Sequence, residues 1–313
     1  MPVVSVIIPT YNRAEMVREA IQSILDQNYT DYEIIVVDDG STDNTRDVVT
    51  AFRDYRIRYI YQENRGRSNA RNHAIRLAQG KYIAFLDSDD LFLPHTLATQ
   101  VNCLERNQGF GMVYSSAKCI NEKGEDLLFS YEATESGWIY RQIAFYRPLT
   151  IILPSIMIRG QVLTEVGYFD ENLERFEDTD MFRRISRRYP ILAIPETLCK
   201  IRAHSSNILE SQDPEEILSA LDYYVNKVFS LDRDVSLIFR RKGAAKFYLY
   251  YGWTFINYLK WHGIGRKFLH RSIRYWPFDI KAYITYMMIL LAMLHLESTV
   301  SRLYMRFKGR SRT

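Results

Sequence analysis

Cysteine is scarce in this chain, and the three residues present, Cys103, Cys119 and Cys199, lack the close spacing of a metal-binding motif. An odd number of widely separated thiols is typical of proteins in a reducing compartment. The initial run MPVVSVIIPTYNR has neither the basic segment nor the longer apolar segment of a signal peptide. We therefore expect a cytoplasmic protein without a disulfide or a zinc site.

Two glycine-rich nucleotide-binding motifs are also missing. No G-x-G-x-x-G follows the first predicted strand, and no G-x-x-x-x-G-K-[ST] occurs in the chain. The first motif binds dinucleotides and the second forms a P-loop, so neither kind of site is indicated. If the chain binds a nucleotide, a metal ion must hold its phosphates in place of a glycine loop.

Acidic residues are nearly absent from the C-terminal part of the chain. Residues 235–313 contain 15 Lys and Arg but only Asp279 and Glu297, a formal charge of +13, which leaves −9 for residues 1–234. This asymmetry indicates an acidic body and a basic tail with different tasks. We predict a division between them near residue 230.

In the body, apolar strand-like runs alternate with segments of helical period. The predicted strands are VVSVIIPTY, YEIIVVDDGS, IRYIYQE and YIAFLDSDD. The helices between them are AEMVREAIQSILDQ, DNTRDVVTAFR and ARNHAIRLAQG, the last closed by Gly80. Repeated βα units with apolar strands indicate an α/β fold with a mostly parallel sheet flanked by helices. Ligands of such sheets bind beyond the carboxyl ends of the strands.

Three carboxylates, Asp87, Asp89 and Asp90, follow the fourth predicted strand in the sequence D-S-D-D. One interpretation is an N-cap for a helix in the next segment, LFLPHTLATQ. The other is a Mg²⁺ or Mn²⁺ site that carries a diphosphate, because hard cations take carboxylate and phosphate oxygens together. Since a cap needs only one acid, we favour the metal site.

Polar residues also follow the first two predicted strands. Thr10 and Tyr11 follow the first strand, and Asp38 and Asp39 precede a Gly-Ser turn in VVDDGSTDNT. One of these acids can accept a hydrogen bond from the N–H of a nucleotide base. Alternatively, both belong to a turn and cap the next helix. The pattern alone leaves both interpretations open.

Four segments in this order, VSVIIPTYNR, EIIVVDDGSTDNT, NRGRSNARNHAI and YIAFLDSDD, resemble the nucleotide-sugar-binding half of family 2 glycosyltransferases. GYFDENLERFEDTDMFRRISRR and IRAHSSN extend the resemblance to about residue 207. The resemblance implies an inverting enzyme with a Rossmann-like GT-A domain over residues 1–230. Its nucleotide-sugar half would be residues 1–94 and its acceptor half residues 95–230, followed by a helical appendage in residues 231–313.

Carried over residue by residue, the resemblance implies a donor site. Tyr11 would stack on the base, Asp39 would accept a hydrogen bond from the base N3–H, and Thr10 would lie beside them. Arg71 would face the base or the diphosphate, although it could instead be a solvated helix arginine. Asp87 would contact the ribose. The expected donor is a UDP-sugar.

The same resemblance implies the metal site and the catalytic base. Asp89 would ligate Mn²⁺ or Mg²⁺, with His204 near the metal or the diphosphate, although a lone loop histidine is more often structural. Asp178, the Asp of the E-D pair in ERFEDTDMFRR, would take the proton of the acceptor hydroxyl. The alternative use of Asp178 or Asp180 is N-terminal helix capping.

The implied activity is metal-dependent transfer of a sugar to a glycan or lipid-linked acceptor, as in polysaccharide biosynthesis. FRRISRRYP stands where processive polymer synthases carry Q-x-x-R-W, so we expect transfer of one or a few sugars. The alternative is an α/β scaffold whose basic, aromatic tail binds nucleic acid or acts as a membrane adaptor. Acids at successive strand ends favour the enzyme, and we expect no nucleic-acid partner.

The tail combines basic and aromatic residues in a pattern typical of membrane surfaces. Residues 235–278 contain nine Lys and Arg and no acid, interleaved with FYLYYGWTF and RYWPF. The segment Ala282–Leu296 is apolar but rises only about 22 Å as a helix, less than the hydrocarbon core. We expect peripheral association with an anionic membrane, with a buried or dimer-forming helix and a spanning helix as alternatives.

Overall fold

The structure, a computed structural model, divides the chain into two compact units, Met1–Gln212 and Asp213–Thr313. It describes residues 1–145, 151–203, 213–257 and 262–293. The predicted division near residue 230 falls inside the second unit, because helix α8 (Pro214–Leu231) packs on the helices that follow it. The assignment of different tasks to the two parts stays a prediction.

The described part of the first unit contains a nine-stranded sheet. Its strands are β1 (Val4–Thr10), β2 (Tyr32–Asp38), β3 (Ile57–Tyr61), β4 (Tyr82–Phe85), β5 (Leu91–Phe92), β6 (Met112–Ile120), β7 (Asp126–Tyr131), β8 (Ile156–Arg159) and β9 (Ile191–Arg202). The strand order is β3-β2-β1-β4-β8-β6-β9-β5, with β7 paired to β6. Strands β3, β2, β1 and β4 are parallel, whereas β8 runs antiparallel to both β4 and β6. The predicted α/β class with a mostly parallel sheet is confirmed, and the run of adjacent parallel strands lies in the nucleotide half.

Helices cover both faces of this sheet. The first unit contains α1 (Ala14–Leu25), α2 (Thr45–Ala51), α3 (Arg67–Leu77), α4 (Thr96–Arg106), α5 (Tyr140–Ile143), α6 (Gly160–Val166) and α7 (Glu177–Ser186). Apolar residues of α1, such as Ile21, pack with Val6 and Ile34 on one face, whereas Ala74 of α3 packs with Ile7 and Ile35 on the other. The chain therefore changes faces between β1 and β4, and this change opens a crevice at their carboxyl ends.

Two local predictions are wrong. LFLPHTLATQ does not begin a helix at once: residues 91 and 92 form β5, which pairs with β9, and α4 begins at Thr96. Gly80 does not close α3, which ends at Leu77. Instead, the Gly80 backbone lies so close to β1 that an added Cβ would come within 2.5 Å of the Ser5 nitrogen.

The second unit is helical. Besides α8, it contains α9 (Leu237–Asn257), α10 (His262–Tyr275) and α11 (Ile280–Met293). Aromatic residues of α9 and α10 pack together, with Phe255 and Phe268 fully buried and their ring centroids 5.2 Å apart. Within the described ranges, no helix is long and apolar enough to cross a membrane. The predicted apolar segment continues past α11, and its last three residues lie outside the described part.

Candidate active site

A cavity of about 570 Å³ lies at the carboxyl ends of β1, β2 and β4. Its walls come from three strand ends and from the loop that leads into α3: Pro9, Thr10, Tyr11, Arg13, Asp39, Asn64, Gly66, Arg67, Arg71, Asp87, Ser88 and Asp89. Five of the predicted donor-site residues and the predicted metal ligand Asp89 are therefore in one cavity. This is the place where the change of faces predicts a ligand crevice.

The end of β1 and the loop after it bring one buried hydroxyl and one exposed ring to the cavity. Tyr11 is 49% exposed at the cavity wall, which leaves its ring available for stacking. The buried Thr10 hydroxyl makes no hydrogen bond to the described residues. Asn12 fixes the loop: it adopts a left-handed conformation (φ 50°), and its Oδ1 accepts a 2.7 Å hydrogen bond from the Thr42 backbone N–H.

The two acids after β2 have different roles. Asp38 accepts hydrogen bonds from the Ser41 N–H and the Tyr59 hydroxyl, so the turn interpretation holds for Asp38. Asp39 is buried, and its carboxylate accepts from the backbone N–H groups of Arg65 and Gly66 at 2.9 and 2.8 Å. Asp39 thus holds the loop before α3 against the cavity.

Neither acid caps the next helix, so that part of the alternative is wrong. Helix α2 has Asn44 as its N-cap residue, and Asp43 accepts from the Thr45 N–H at 3.0 Å.

Two carboxylates of D-S-D-D pair with arginine side chains, and the third accepts a backbone hydrogen bond. Asp87 Oδ1 pairs with Arg71 Nη2 at 2.7 Å, and Asp89 Oδ2 pairs with Arg13 Nη1 at 2.5 Å. Asp90 is buried and accepts a hydrogen bond from the Arg202 backbone N–H at 2.8 Å. Burial, followed by the charges of Asp87 and Asp89, raises the pKa of Asp90 well above its ordinary value. The capping interpretation is wrong, since α4 begins six residues later with His95 as its N-cap.

Arg202, at the end of β9, holds the D-S-D-D loop in place. Its buried side chain donates from Nε to the Asp89 carbonyl at 2.9 Å and from Nη1 to the Glu122 carbonyl at 3.0 Å. Its Nη2 pairs with Glu19 of α1 at 2.6 Å. One arginine therefore ties the end of β9 and helix α1 to the residues predicted to bind the metal.

Arg71 connects the donor side of the site to helix α7. It is buried, and besides Asp87 it contacts Glu177 Oε1 through Nη1 at 3.1 Å. Arg67 reaches the same Glu177 oxygen at 2.9 Å. The interpretation of Arg71 as a solvated helix arginine is therefore wrong. Its Nε makes no hydrogen bond to the described residues.

Asp178 follows Glu177 in the first turn of α7. Desolvation by the surrounding protein, followed by the charge of Glu177, raises the pKa of Asp178 to about 6. Its Oδ1 accepts a 2.6 Å hydrogen bond from the Thr179 N–H. The N-cap of α7 is Phe176, which adopts a left-handed conformation (φ 64°) unusual for a bulky residue. Such strain is concentrated at functional sites.

The capping alternative for α7 is only partly right. Asp178 is the second residue of the helix, and its bond to Thr179 satisfies one N–H of the first turn. Asp180 is fully buried and pairs with Arg183 at 2.9 Å and Arg184 at 2.8 Å, so it is a structural acid.

Sequence reasoning missed four residues that organise this site: Arg13, Arg67, Glu177 and Arg202. Their partners are distant in the sequence, and Arg202 lies 112 positions from Asp90. All four lie in segments that carry the family resemblance, but no role was assigned to them there. His204 lies outside the described residues. Among the residues that the structure describes, no group of three His, Cys, Asp or Glu is arranged to hold a metal ion.

Comparison with known proteins identifies the family. Residues 5–160 match the family model described as Glycosyl transferase family 2. An uncharacterized glycosyltransferase of Methanocaldococcus jannaschii is 34% identical over 209 residues, which cover 64% of this chain and 71% of that protein. The chain belongs to glycosyl transferase family 2. This membership favours the enzyme over the scaffold alternative for the body of the chain.

The relatives of this chain differ in length. An uncharacterized glycosyltransferase of Rickettsia felis is 39% identical over 200 residues, which cover 64% of this chain but 33% of that protein. The chain thus spans about a third of this longer relative.

Two solved structures share the fold. The S. aureus protein TarS (residues 1–349) in complex with UDP-GlcNAc has a TM-score of 0.68 and 20% identity, and the match covers 88% of this chain and 81% of that 1–349 chain. The mannosyltransferase PcManGT of Pyrobaculum calidifontis, in complex with GDP-Man and Mn²⁺, has a TM-score of 0.60 and 21% identity, with 93% and 81% coverage. The GT-A fold is confirmed.

Proposed function

We propose that this family 2 enzyme transfers a sugar from a UDP-sugar, with inversion and with a divalent metal, to a glycan or lipid-linked acceptor. The observation that carries the proposal is the convergence of Asp39, Asp87 and Asp89 in one cavity, with Arg71 linking that cavity to the residue before Asp178. Acids at two strand ends and one helix start are more than the stability of the fold requires.

In the proposed donor site, the base stacks on the exposed Tyr11 ring. The Asp39 carboxylate, already oriented by two backbone N–H groups, accepts from the base. The Thr10 hydroxyl and Arg71 Nε are buried polar groups with hydrogen-bonding capacity left in the described part of the chain. Both uracil and guanine carry a ring N–H, and TarS and PcManGT bind nucleotides of these two kinds. The uridine preference is therefore a point for experiment.

The residues present fit a divalent metal that is held mainly by the diphosphate of the donor and by few protein groups. Mg²⁺ and related ions are commonly bound by one or two carboxylates together with substrate phosphates. Asp89 is the proposed protein ligand, with His204 as a second candidate. When bound, the metal supplies positive charge for the diphosphate leaving group. The neighbouring Asp90 is hydrogen-bonded into the protein, so we do not assign it to the metal.

Asp178 is the proposed general base. Its pKa of about 6 leaves it deprotonated at neutral pH, yet basic enough to accept a proton from an acceptor hydroxyl. Arg71 and Arg67 hold Glu177 and thereby fix the start of α7, so that Asp178 has a defined position relative to the donor cavity.

A screen of UDP-, GDP- and dTDP-sugars tests the donor assignment. Release of the free nucleoside diphosphate in the presence of Mn²⁺ should be fastest with a UDP-sugar. Faster release from GDP- or dTDP-sugars would overturn the uridine assignment. It would not contradict the assignments of the metal ligand and the general base.

We also propose that the second unit lies against an anionic membrane, where a lipid-linked acceptor would be found. Its exposed side chains include Trp253, Phe278 at 80% exposure, Ile284 and Met287. The exposed Lys281 lines a cavity together with Trp253 and Ile284. Large apolar and aromatic groups next to lysine are typical of surfaces that lie in the headgroup region. This proposal concerns peripheral association.

A further inference from the structure

A second polar cavity lies wholly within the helical unit, where α8, α9 and α10 converge. It has a volume of about 610 Å³. Three arginines line it: Arg241 from α9, and Arg271 and Arg274 from α10. Asp222 of α8 is the one acid among its lining residues. None of these residues belongs to the donor cavity or to the apolar surface proposed to meet the membrane.

The single acid is already used by one arginine. Arg271 Nε donates to Asp222 Oδ1 at 2.7 Å, and Arg271 Nη2 pairs with Asp222 Oδ2 at 2.7 Å. The Tyr248 hydroxyl also donates to Asp222 Oδ1, at 2.6 Å. These bonds fill the carboxylate and orient the Arg271 guanidinium at the wall of the cavity.

The other two arginines keep donors available. Arg241 Nε donates to the Tyr275 carbonyl at 3.0 Å. This bond fixes the side chain but leaves its two terminal nitrogens available to donate to a ligand. Arg274 makes no hydrogen bond or ion pair with any described residue. Within residues 235–278 the sequence contains no acid that could neutralise them. The cavity therefore carries a surplus of two positive charges.

Stability alone does not account for this arrangement. Like charges that face one cavity repel each other. Exposed arginine side chains therefore have a lower free energy when they point apart into solvent than when they converge. A guanidinium offers planar, paired N–H donors that match the oxygens of a phosphate. The rings of Tyr248 and Tyr275 stack with centroids 5.6 Å apart and form an apolar wall beside the charges.

We propose that this cavity binds a phosphate-bearing ligand, with Arg241 and Arg274 as its principal contacts and Arg271 as a third donor held in place by Asp222. The phosphate group can belong to a soluble phosphate ester or to a lipid headgroup, because both present the same oxygens. The proposal does not rest on the transfer reaction and concerns binding alone.

The test uses the full chain and a double variant, Arg241→Gln with Arg274→Gln. Arg233→Gln with Arg266→Gln is the matched control, because it removes the same charge from the same unit without altering a lining residue. Glycerol 3-phosphate binding, measured by calorimetry, reports the soluble source. Flotation with phosphatidylcholine vesicles, with and without phosphatidylglycerol, reports the lipid source.

The cavity variant should bind at least one of the two probes about tenfold more weakly than the parent chain, since it loses charge-assisted hydrogen bonds. The control should bind as the parent does. The probe whose binding is weakened in the cavity variant identifies the source of the phosphate. Equal loss in both variants would show a general charge effect and overturn the proposal, as would a parent chain that binds neither probe. If the double variant does not fold, the same measurements are made on the single variant Arg274→Gln, which changes an exposed residue.

Discussion

Asp178 is a carboxylate whose surroundings favour its protonated form. Because its pKa is raised to about 6 in the folded chain, well above that of an unfolded Asp, its charge costs stability at neutral pH. Asp178→Asn should therefore lower turnover by about 10²- to 10⁴-fold, as expected for loss of a general base. The same variant should raise the free energy of unfolding at pH 7.5 by about 1–2 kcal/mol.

Steady-state kinetics and thermal denaturation of the Asp178→Asn variant check these two effects, and UDP affinity is the control that should stay unchanged. Turnover near the parent level would move the base to another acid, with Glu177 examined first.

The pH dependence follows from the same group. A base with a pKa of about 6 is charged above that pH, so kcat/KM should be level at neutral pH and fall about tenfold per unit below pH 6. The stability contribution has the opposite direction: the charge penalty is present above pH 6 and disappears as the pH falls towards 4. A rate profile that stays level to pH 4.5 would show that Asp178 is not the base.

Single residues also set the limit of the sequence prediction. The acids after β2 and β4 were found because strand ends are visible in the apolar pattern. The long-range partners in the site were not found, because Arg202 reaches Asp90, and Glu177 reaches Arg71, across more than a hundred residues of chain. Side-chain geometry, and not pattern, decides which arginine meets which carboxylate.

At the level of elements, the order of strands and helices up to β4 was predictable. Each strand is a run of apolar residues, and each helix repeats its apolar residues at the helical spacing. The strand β5 was not predictable, since two residues are too few to show a repeating apolar pattern and form a strand only by pairing with β9. The beginning of α3 was predicted three residues late, because its first turn, Arg67 to Asn69, is polar and joins the site.

Gly80 tests the packing of the turn before β4. Gly80→Ala should destabilise the chain by about 1–3 kcal/mol, because the new Cβ would meet the β1 backbone, at 2.5 Å from the Ser5 nitrogen, and that backbone cannot move freely. Gly109→Ala is the matched control, since nothing lies within 4 Å of its Cβ position. Chemical denaturation measures both variants. Equal stability of the two would contradict the close approach of this turn to β1.

At the scale of the whole molecule, the described chain forms two compact units, one α/β and one helical, and the charge asymmetry counted at residue 235 divides the chain inside the second of them. The membrane proposal belongs to this scale. Replacing Trp253 and Phe278 together by Ser should reduce sedimentation with anionic liposomes, because the rings supply the apolar contact. Leu128→Ser, a more exposed apolar position on β7 of the first unit, should have no effect. Parent protein that stays in the supernatant at low salt would contradict the membrane proposal.

The central claim is that Asp89 binds a metal that carries the nucleotide diphosphate. The most direct measurement is UDP affinity with and without Mn²⁺ for the parent chain, Asp89→Ala and the control Asp126→Ala, a surface acid of β7. We predict that Mn²⁺ strengthens UDP binding to the parent and the control but not to Asp89→Ala, which keeps its fold. Metal-dependent binding by Asp89→Ala at the parent level would contradict the account.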